Sequence, residues 1–462
     1  MAIETIAAVD LLSLAIGGVA LPALADPSQD VRDRVAAAAG IVEPGDKIWF
    51  HKTAAAVIDT GRCVRCGSCI ASCPSHSIGL GSDGLPTLVR MCTGCSSCWD
   101  YCPLAGLCTE RLQRLWECDE ASADPARAGA ARGGAGRAGA APAAAVVPGD
   151  QDAAQTVDLN LGRVLAAFEA RATRRAPGAQ DGGVVTALLE SLLEQRQLDG
   201  ALLSHQHSPL LGETVLARTP DEVRQGAGSV YHQSYPLAEI AQGLPAGVER
   251  IALVGTACQV AGLRALQRFP WKYRRAPVEK VTLAIALFCT RSFDPQRLTI
   301  ELVRRGLDLE RTAKVDIRDG LFRAFDAEGQ AIFSTKVRTL APAALAGCDE
   351  CADFTGAMAD LSVGNVGSRP GYTTVLIRTR RGMEAWERAA AALDCAPLAG
   401  VQAVAALDSK NRQRAARSAW RRPSPERSLW VSYTEYLTAT LGTSHAPVTP
   451  PAHRSHHYTL AC

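Results

Sequence analysis

Eight cysteines form two groups with the same spacing. The pattern C-x2-C-x2-C-x3-C-P occurs twice and ends at Cys73-Pro74 and at Cys102-Pro103. Three thiolates separated by two residues can bind one cubane cluster, while the fourth, before proline, points to the other cluster. The sequence therefore predicts two 4Fe-4S clusters with exchanged fourth ligands. The first has the ligands Cys63, Cys66, Cys69 and Cys102, and the second has Cys92, Cys95, Cys98 and Cys73.

Structural zinc is the alternative for these cysteines, since zinc sites also use C-x-x-C pairs. Tetrahedral zinc requires neither a third cysteine at the same short spacing nor the two Cys-Pro ends, and bacterial ferredoxins have both. Two clusters that exchange ligands in this way lie close together. We therefore expect this unit to conduct single electrons rather than to act as a catalyst.

Four further cysteines lie in the second half of the chain. Cys258 follows a predicted strand at the start of a helix, where backbone N–H groups favour a thiolate. Cys289 ends the next apolar strand, so in a parallel sheet both would lie at the carboxyl edge, where open α/β folds bind ligands. Cys348 and Cys351 add a C-x-x-C pair. The four could hold a third 4Fe-4S cluster; alternatively, Cys258 and Cys289 are small core residues.

Length and composition indicate several domains in a reducing compartment. The 462 residues suggest about three domains. A balance of 49 Lys and Arg against 47 Asp and Glu gives a net charge of +2, which attracts neither nucleic acid nor an anionic membrane. Sixteen cysteines fit metal ligation in the cytoplasm better than a short secreted disulfide scaffold. The apolar stretch Ile6–Ala25 has no basic start and carries Asp10, so we expect neither export nor a membrane span.

The composition changes along the chain and predicts an α+β ferredoxin-like domain, a flexible linker and a mixed α/β body. The body alternates strand-like and helix-like segments, such as the helix 184–195 and the strands 200–204, 250–254 and 281–288. A helix is also predicted at Met383–Leu393. The segments are an N-terminal lead (1–50), the two-cluster unit (51–119), an Ala/Gly-rich linker (120–155), the body (156–294 and 295–409) and a basic tail (410–462).

The body resembles the beta subunits of coenzyme F420 hydrogenases and dehydrogenases from about Ala170 to Arg380. On this resemblance, 156–294 is an N-terminal-type domain and 295–409 a C-terminal-type domain. Ala257 departs from the family, which usually has proline there. The resemblance rests on the segments Gln180-Asp-Gly-Gly-Val-Val-Thr-Ala-Leu-Leu189, Gly226-Ala-Gly-Ser-Val-Tyr231, Val254-Gly-Thr-Ala-Cys-Gln-Val260, Leu287-Phe-Cys289, Cys348-Asp-Glu-Cys-Ala-Asp-Phe354 and Ala359-Asp-Leu-Ser-Val-Gly-Asn-Val-Gly-Ser368.

The resemblance implies a FAD in the body, a third 4Fe-4S cluster on Cys258, Cys289, Cys348 and Cys351, and hydride exchange with the deazaflavin coenzyme F420. Without it, the glycines of the body would indicate tight turns at strand ends. Asp181 and Lys314 are polar candidates near the flavin, although such residues are more often structural. The implied flavin contacts are Gln180, Asp181, Gly182, Gly183, Ser229, Tyr231, Asn365, Gly367 and Ser368.

Three functions remain open from the sequence, and none identifies a catalytic residue. The first is an F420-linked oxidoreductase subunit that exchanges electrons with a redox partner protein. The second is a FAD and iron-sulfur reductase of another organic substrate, such as a tetrapyrrole or an enoyl group. The third is an electron-transfer subunit without catalysis. A cationic groove would favour the first, an apolar pocket above the flavin the second, and an occluded flavin face the third.

Overall fold

The computed structural model describes residues 49–122, 161–268 and 276–418. The predicted lead before residue 49, the linker after residue 122 and the tail after residue 418 lie outside the described residues. No helix within the described ranges is long and apolar enough to cross a membrane.

The Cys-rich unit consists of short elements around its two cysteine motifs. A left-handed residue precedes each single-turn helix, with φ of 84° at Gly67 and 65° at Ser96. The two halves therefore fold alike, as the sequence repeat predicts. The elements are α1 (Phe50–Thr53), a π-helical turn (Ala54–Ile58), α2 (Ser68–Ala71), the antiparallel strands β1 (Ile78–Leu80) and β2 (Pro86–Leu88), α3 (Ser97–Asp100) and α4 (Thr109–Ser122).

The body is mixed α/β, which confirms that part of the sequence prediction. Its helices are α5 (Val184–Glu194), α6 (Pro220–Gln225), α7 (Pro236–Gln242), α8 (Ala257–Arg268), α9 (Pro295–Arg304), α10 (Arg380–Arg388) and α11 (Val401–Ala416). Its strands are β3 (Ala166–Ala172), β4 (Gly200–Ser208), β5 (Leu211–Ala217), β6 (Ile251–Thr256), β7 (Val281–Leu287), β8 (Lys314–Arg318), β9 (Leu321–Phe325), β10 (Ala331–Lys336), β11 (Leu361–Gly364), β12 (Thr373–Ile377) and β13 (Leu393–Pro397). Short 3-10 turns occupy Val278–Lys280, Val337–Ala343, Ala346–Glu350 and Ala390–Ala392.

Eight strands form one sheet in the order β13-β3-β12-β11-β7-β6-β4-β5. The central strands β4, β6, β7 and β11 are parallel. Strands β5 and β12 pair antiparallel to β4 and β11, and β3 and β13 extend the sheet beyond β12 in further antiparallel pairs. Strands β6 and β7 are almost entirely buried apolar runs, as expected for parallel strands covered on both faces. Their carboxyl ends meet at one edge, immediately before Cys258 and Cys289. A separate antiparallel sheet has the order β10-β9-β8.

The predicted helix Met383–Leu393 was wrong at its carboxyl end. Helix α10 ends at Arg388, and Leu393 begins β13, which pairs with β3. The stacked rings of Trp386 and Phe168, 5.3 Å apart, pack α10 against β3. The sheet also includes strands from both predicted body domains, and α11 crosses the predicted boundary at residue 410. The domain assignment itself stays a prediction.

The two-cluster unit and the body share one hydrophobic core. Ile70 and Trp116 of the unit belong to the same buried cluster as Leu237 and Leu263 of the body. Gly262 on α8 is required by this contact, since a Cβ there would lie 2.0 Å from Ser68 Oγ. The cysteine motifs are therefore held rigidly against the sheet.

A buried ion pair adjoins this shared core. Asp360 is fully buried, and its Oδ2 lies 2.9 Å from Arg264 Nη2 and accepts the Ala284 N–H at 2.7 Å. The Arg264 guanidinium also lies over the Trp116 ring, 5.6 Å from its centroid. Burial alone would raise the pKa of Asp360, but Arg264 and Arg381, with hydrogen bonds from Ala284 and Thr379, hold it below its usual value.

The substitution Arg264→Met is expected to destabilise the protein strongly. It leaves the Asp360 carboxylate buried without its main cation, which typically lowers the free energy of unfolding by about 3–5 kcal/mol. The measurement is the urea midpoint under anaerobic conditions. The control Arg388→Met removes an exposed arginine from α10 and should change stability by less than about 0.5 kcal/mol. Equal midpoints for the two variants would contradict the assigned role of Arg264.

Candidate functional site

The first predicted ligand group comes together around Cys69. Burial raises the pKa of this thiol, and the thiols of Cys63, Cys66, Cys102 and Cys98 raise it further. Burial likewise raises the pKa of Cys102, with Cys66 and Cys63 adding to the effect. Cys102 thus lies with the cysteines of the other motif, in the arrangement that ligand exchange predicts.

The second group is built in the same way around Cys98. Burial raises the pKa of Cys98, followed by the nearby thiols of Cys95, Cys92 and Cys73. The Thr53 hydroxyl lies 3.3 Å from Cys98 Sγ. Cys73 is therefore with the second motif, and the effect of Cys98 on Cys69 shows that the two groups adjoin. Adjacent cubes are what transfer of single electrons requires.

Hydrogen-bond partners of the cysteine sulfurs repeat with the motif. The N–H groups of Arg65 and Gly94 each donate, at 3.4 Å, to the cysteine two residues earlier. The Ser68 and Ser97 hydroxyls lie 3.3 and 3.4 Å from the sulfurs of Cys66 and Cys95. Such hydrogen bonds stabilise bound thiolates and adjust the reduction potentials of iron-sulfur clusters.

The four cysteines of the body also come together. Cys258 lies in the first turn of α8, directly after β6, and Cys289 follows the parallel strand β7. Cys348 lies in the 3-10 turn Ala346–Glu350, which Cys351 follows. Burial raises the pKa of Cys289, followed by the thiols of Cys348 and Cys351. Sequence reasoning therefore located the sheet edge correctly, and the C-x-x-C pair meets it there.

The body group adjoins the first ferredoxin group. After burial, the thiol of Cys66 is the largest cause that raises the pKa of Cys258, ahead of Cys351 and Cys289. Cys66 and Cys348 belong to one buried cluster, and Cys258 packs against it. The three cysteine groups therefore form a series from the body through the first group to the second.

These residues fit cubane clusters. Each group supplies four thiols, and four thiolates are the ligands of a 4Fe-4S cluster, in which each binds a different iron. Burial raises the pKa of Cys63 and of Cys351 to about 12, so iron binding must displace protons from these thiols.

Three of the predicted flavin residues converge on strand β8. Gln180 Nε2 donates to Asp316 Oδ1 at 2.5 Å. The Tyr231 hydroxyl accepts the Ile317 N–H at 2.8 Å, and Asn365 Nδ2 donates to the Ile317 carbonyl at 3.3 Å. The three side chains come from separate parts of the sequence, so the fold creates this polar site.

One polar atom of this site has no protein partner. Gln180 Oε1 is buried and accepts no hydrogen bond within the described part of the chain. A buried acceptor without a partner costs about 1–3 kcal/mol, which a bound ligand with an N–H or O–H group would recover. The residues therefore fit a polar ring such as a flavin at β8.

The half-buried face of β8 adds charges that sequence reasoning only partly found. Lys314, Asp316 and Arg318 alternate along the strand and so share one face. Arg318 Nη1 lies 3.2 Å from Asp181 Oδ1. Burial lowers the pKa of Lys314 and raises that of Asp181, although Arg318 opposes the latter shift. The alternation of charges was the signal that would have identified Asp316 and Arg318.

Other predicted flavin residues have structural roles. The Gly182 N–H donates to Thr373 Oγ1, and a Cβ at Gly182 would lie 2.3 Å from the Ala170 carbonyl. A Cβ at Gly367 would lie 2.6 Å from the Gly400 carbonyl. Gly183 has a left-handed φ of 69° at the start of α5. Packing of the chain accounts for these glycines, so their contact with a flavin stays a prediction.

The remaining predicted flavin contacts, Ser229 and Ser368, are bonded locally. The Ser229 hydroxyl hydrogen-bonds Tyr231 and partly offsets the burial that raises its pKa. Ser368 Oγ donates to the Tyr372 carbonyl at 2.9 Å. Both side chains stabilise their own loops, so neither contact indicates a ligand.

A short chain of contacts connects the polar site to the body cysteines. The Tyr231 carbonyl accepts hydrogen bonds from Ser292 Oγ at 3.2 Å and from the Phe293 N–H at 3.0 Å. The Ser292 N–H in turn donates to Cys348 Sγ at 3.5 Å. The side chain of Tyr231 thus faces β8 while its backbone touches the loop of the cysteine group.

Comparison with protein families agrees with this arrangement. The family model for the C terminus of the coenzyme F420 hydrogenase/dehydrogenase beta subunit matches residues 248–399, and the model for its N-terminal part matches residues 167–241. A 4Fe-4S dicluster domain matches residues 55–121. The chain belongs to the coenzyme F420 hydrogenase/dehydrogenase beta subunit family. Its N-terminal unit is a 4Fe-4S dicluster domain.

Several relatives align over much of the chain. An uncharacterised protein of Methanocaldococcus jannaschii is 30% identical, with 64% of this chain and 86% of the relative covered. The coenzyme F420-dependent sulfite reductase of that organism is 28% identical over 71% of this chain, which spans only 46% of the reductase. The coenzyme F420 hydrogenase beta subunit of Methanosarcina barkeri is 29% identical, with 51% and 81% covered.

A solved structure supports the same fold. A chain of the F420-reducing [NiFe] hydrogenase complex from Methanosarcina barkeri superposes with a TM-score of 0.52 at 27% identity. The alignment covers 55% of this chain and 91% of that chain. The similarity therefore extends over nearly all of the known subunit, while a large part of this chain has no counterpart in it.

Paired cysteine substitutions test the exchange of ligands between the two motifs. Cys102→Ala and Cys63→Ala should each lower the iron content by about four irons per chain. The double variant should lower it by no more, because both substitutions destroy the same cluster. Cys102→Ala with Cys92→Ala should cost about eight, because it removes both cubes. The measurement is iron per chain after anaerobic purification. Additive losses for Cys102 with Cys63, or equal losses for the two double variants, would refute the exchange.

Proposed function

We propose that this protein is an oxidoreductase subunit that exchanges hydride between coenzyme F420 and a bound FAD and passes single electrons through three 4Fe-4S clusters to a redox partner. When bound, FAD converts a two-electron hydride into single electrons. The names of the relatives support this assignment, since they include F420 hydrogenase subunits and an F420-dependent sulfite reductase.

One observation carries the proposal. The four body cysteines lie between the polar site at β8 and the dicluster domain, with Tyr231, Ser292 and Cys348 on one side and Cys66 on the other. A group in that position can receive electrons from the body and deliver them to the first ferredoxin cluster. Thiols that only fill the core would not need to adjoin both the polar site at β8 and the dicluster domain.

The residues of the chain would position and insulate the cofactors. Gln180, Tyr231 and Asn365 present fixed polar groups at β8, so they can orient a ring without rearrangement. Thr256 Oγ1 lies 3.2 Å from Cys258 Sγ, and Gln233 Nε2 donates to Thr256 Oγ1. This pair can adjust the potential of the third cluster through its sulfur ligand.

The flavin assignment is tested by Gln180→Ala. Loss of the amide removes the acceptor without a partner at β8, and FAD is expected to bind at least about tenfold more weakly, since 1.4 kcal/mol corresponds to that factor. The measurement is fluorescence titration of the deflavinated protein with FAD. The matched control is Gln195→Ala, directly after the carboxyl end of α5, where the side chain only donates to the Arg388 carbonyl. Unchanged FAD affinity in Gln180→Ala would place the flavin elsewhere.

Cofactor content and reduction test the complete proposal. The anaerobically purified protein should contain about twelve irons and one FAD, and reduced F420 should bleach flavin and cluster absorbance in sequence. The double variant Cys348→Ala/Cys351→Ala should retain FAD and about eight irons, with flavin bleaching but little electron transfer to the dicluster domain.

The outcomes of this experiment separate the alternatives. Wild-type iron near eight would disprove the third cluster. Correct iron and flavin without any bleaching would exclude F420 as the donor, and the protein would then be a reductase of another organic substrate or an electron-transfer subunit.

A further inference from the structure

A cleft opens beside the body cysteine group, away from the polar site at β8. The final turns of α11 and the 3-10 turn Ala346–Glu350 line an open cleft with a volume of about 610 Å³. Small-molecule sites commonly measure about 300–1,000 Å³. The polar residues that line the cleft are Asp349, Lys410, Gln413, Arg414, Arg417 and Ser418.

The cleft is strongly cationic. Lys410, Arg414 and Arg417 follow one another at helical spacing along α11 and share one face. Asp349 is the one acid among the lining residues, and its Oδ1 lies 2.7 Å from Arg291 Nη2. Lys410 and Arg417 are exposed and form no ion pair within the described ranges. The cleft therefore carries several cations that its own acid does not neutralise.

Arg414 places a guanidinium in the wall of this cleft. Its Nε is buried and makes no hydrogen bond in the described part of the protein, although Asp349 Oδ1 lies 3.5 Å away. Its Nη2 donates to the Thr290 carbonyl at 2.7 Å, so the guanidinium is held in place. A guanidinium held in place in this way is suited to recognise carboxylate or phosphate oxygens.

The wall of the cleft is the backbone that carries two cysteines of the body group. Arg414 Nη2 also donates to the Cys348 carbonyl at 3.2 Å, and Asn411 Nδ2 donates to the Cys351 carbonyl at 3.1 Å. An anion in the cleft would thus lie close to the third cluster. Negative charge near a cluster opposes the addition of an electron and lowers its reduction potential.

We propose that this cleft binds a small polyanion with carboxylate or phosphate groups, and that the bound anion makes the third cluster harder to reduce. The volume of the cleft lies within the range of small-molecule sites, so a small molecule is the occupant that we assign. The proposal of anion binding depends only on the cleft. The proposed control of the reduction potential depends, in addition, on the third cluster of the proposed function.

Binding is tested by calorimetry on the anaerobic full-length protein at low salt, with inorganic pyrophosphate and citrate as separate probes. At least one probe should bind, and Lys410→Gln/Arg417→Gln should weaken it about tenfold or more. The matched control Arg388→Gln on α10 should leave the affinity unchanged. The two probes distinguish phosphate from carboxylate recognition. The proposal would be overturned if neither probe binds or if all variants bind with equal affinity. If only an acidic ferredoxin binds, and its binding depends on Lys410 and Arg417, the cleft would instead be a protein docking surface.

The effect on the third cluster is tested by potentiometric titration followed by electron paramagnetic resonance. The probe should lower the midpoint potential of the cluster lost in Cys348→Ala/Cys351→Ala and should have no such effect in Lys410→Gln/Arg417→Gln. A tenfold tighter binding to the oxidised protein corresponds to about 59 mV. Binding without a change in potential would refute the regulatory half. Binding to a protein that lacks the third-cluster signal would refute the proposed function and leave the anion site standing.

Discussion

The bidentate ion pair of Arg62 and Glu350 fixes the relation between the dicluster domain and the body. Arg62 Nε and Nη2 donate to the two carboxylate oxygens of Glu350 at 2.7 and 2.8 Å, and both side chains are only 9% exposed. Arg62 precedes Cys63, and Glu350 precedes Cys351, so the pair joins the loops of two cysteine groups. Burial of two charges is tolerated only with such geometry, and the loss of either partner would leave an uncompensated charge.

Packing around this ion pair leaves little freedom to the two loops. A Cβ at Gly347 would lie 1.9 Å from the Arg62 carbonyl, so the two backbones touch. Arg65, two residues after Cys63, pairs with Asp294, whose carboxylate also caps α9. The order of the three cysteine groups thus follows from contacts between the loops themselves. Rates of electron transfer depend steeply on distance, and a junction of this kind keeps that distance constant.

The sequence predicted most where the chemistry is local. The two ferredoxin motifs define their ligands within about forty residues, and their repetition predicted the crossed grouping of Cys73 and Cys102. The parallel strands before Cys258 and Cys289 were also predictable, because buried strands are continuous apolar runs. Strands β3 and β13 were missed, since neither alternates buried and exposed residues regularly. The meeting of Gln180 with Asp316 was beyond reach, because it joins residues 136 positions apart.

Fixed positive charge near the cysteine groups bears on electron flow. Burial raises the pKa of Cys63, Cys102 and Cys348. Arg65 and Arg62 oppose this shift at the first ferredoxin group, and Arg414 and Arg291 oppose it at Cys348 of the body group. Fixed positive charge stabilises an added electron more than neutral dipoles do. In the proposed function, Arg414 and Arg291 would therefore strengthen the hold of the third cluster on an added electron. An anion over Arg414 would weaken that hold and favour transfer onward to the dicluster domain.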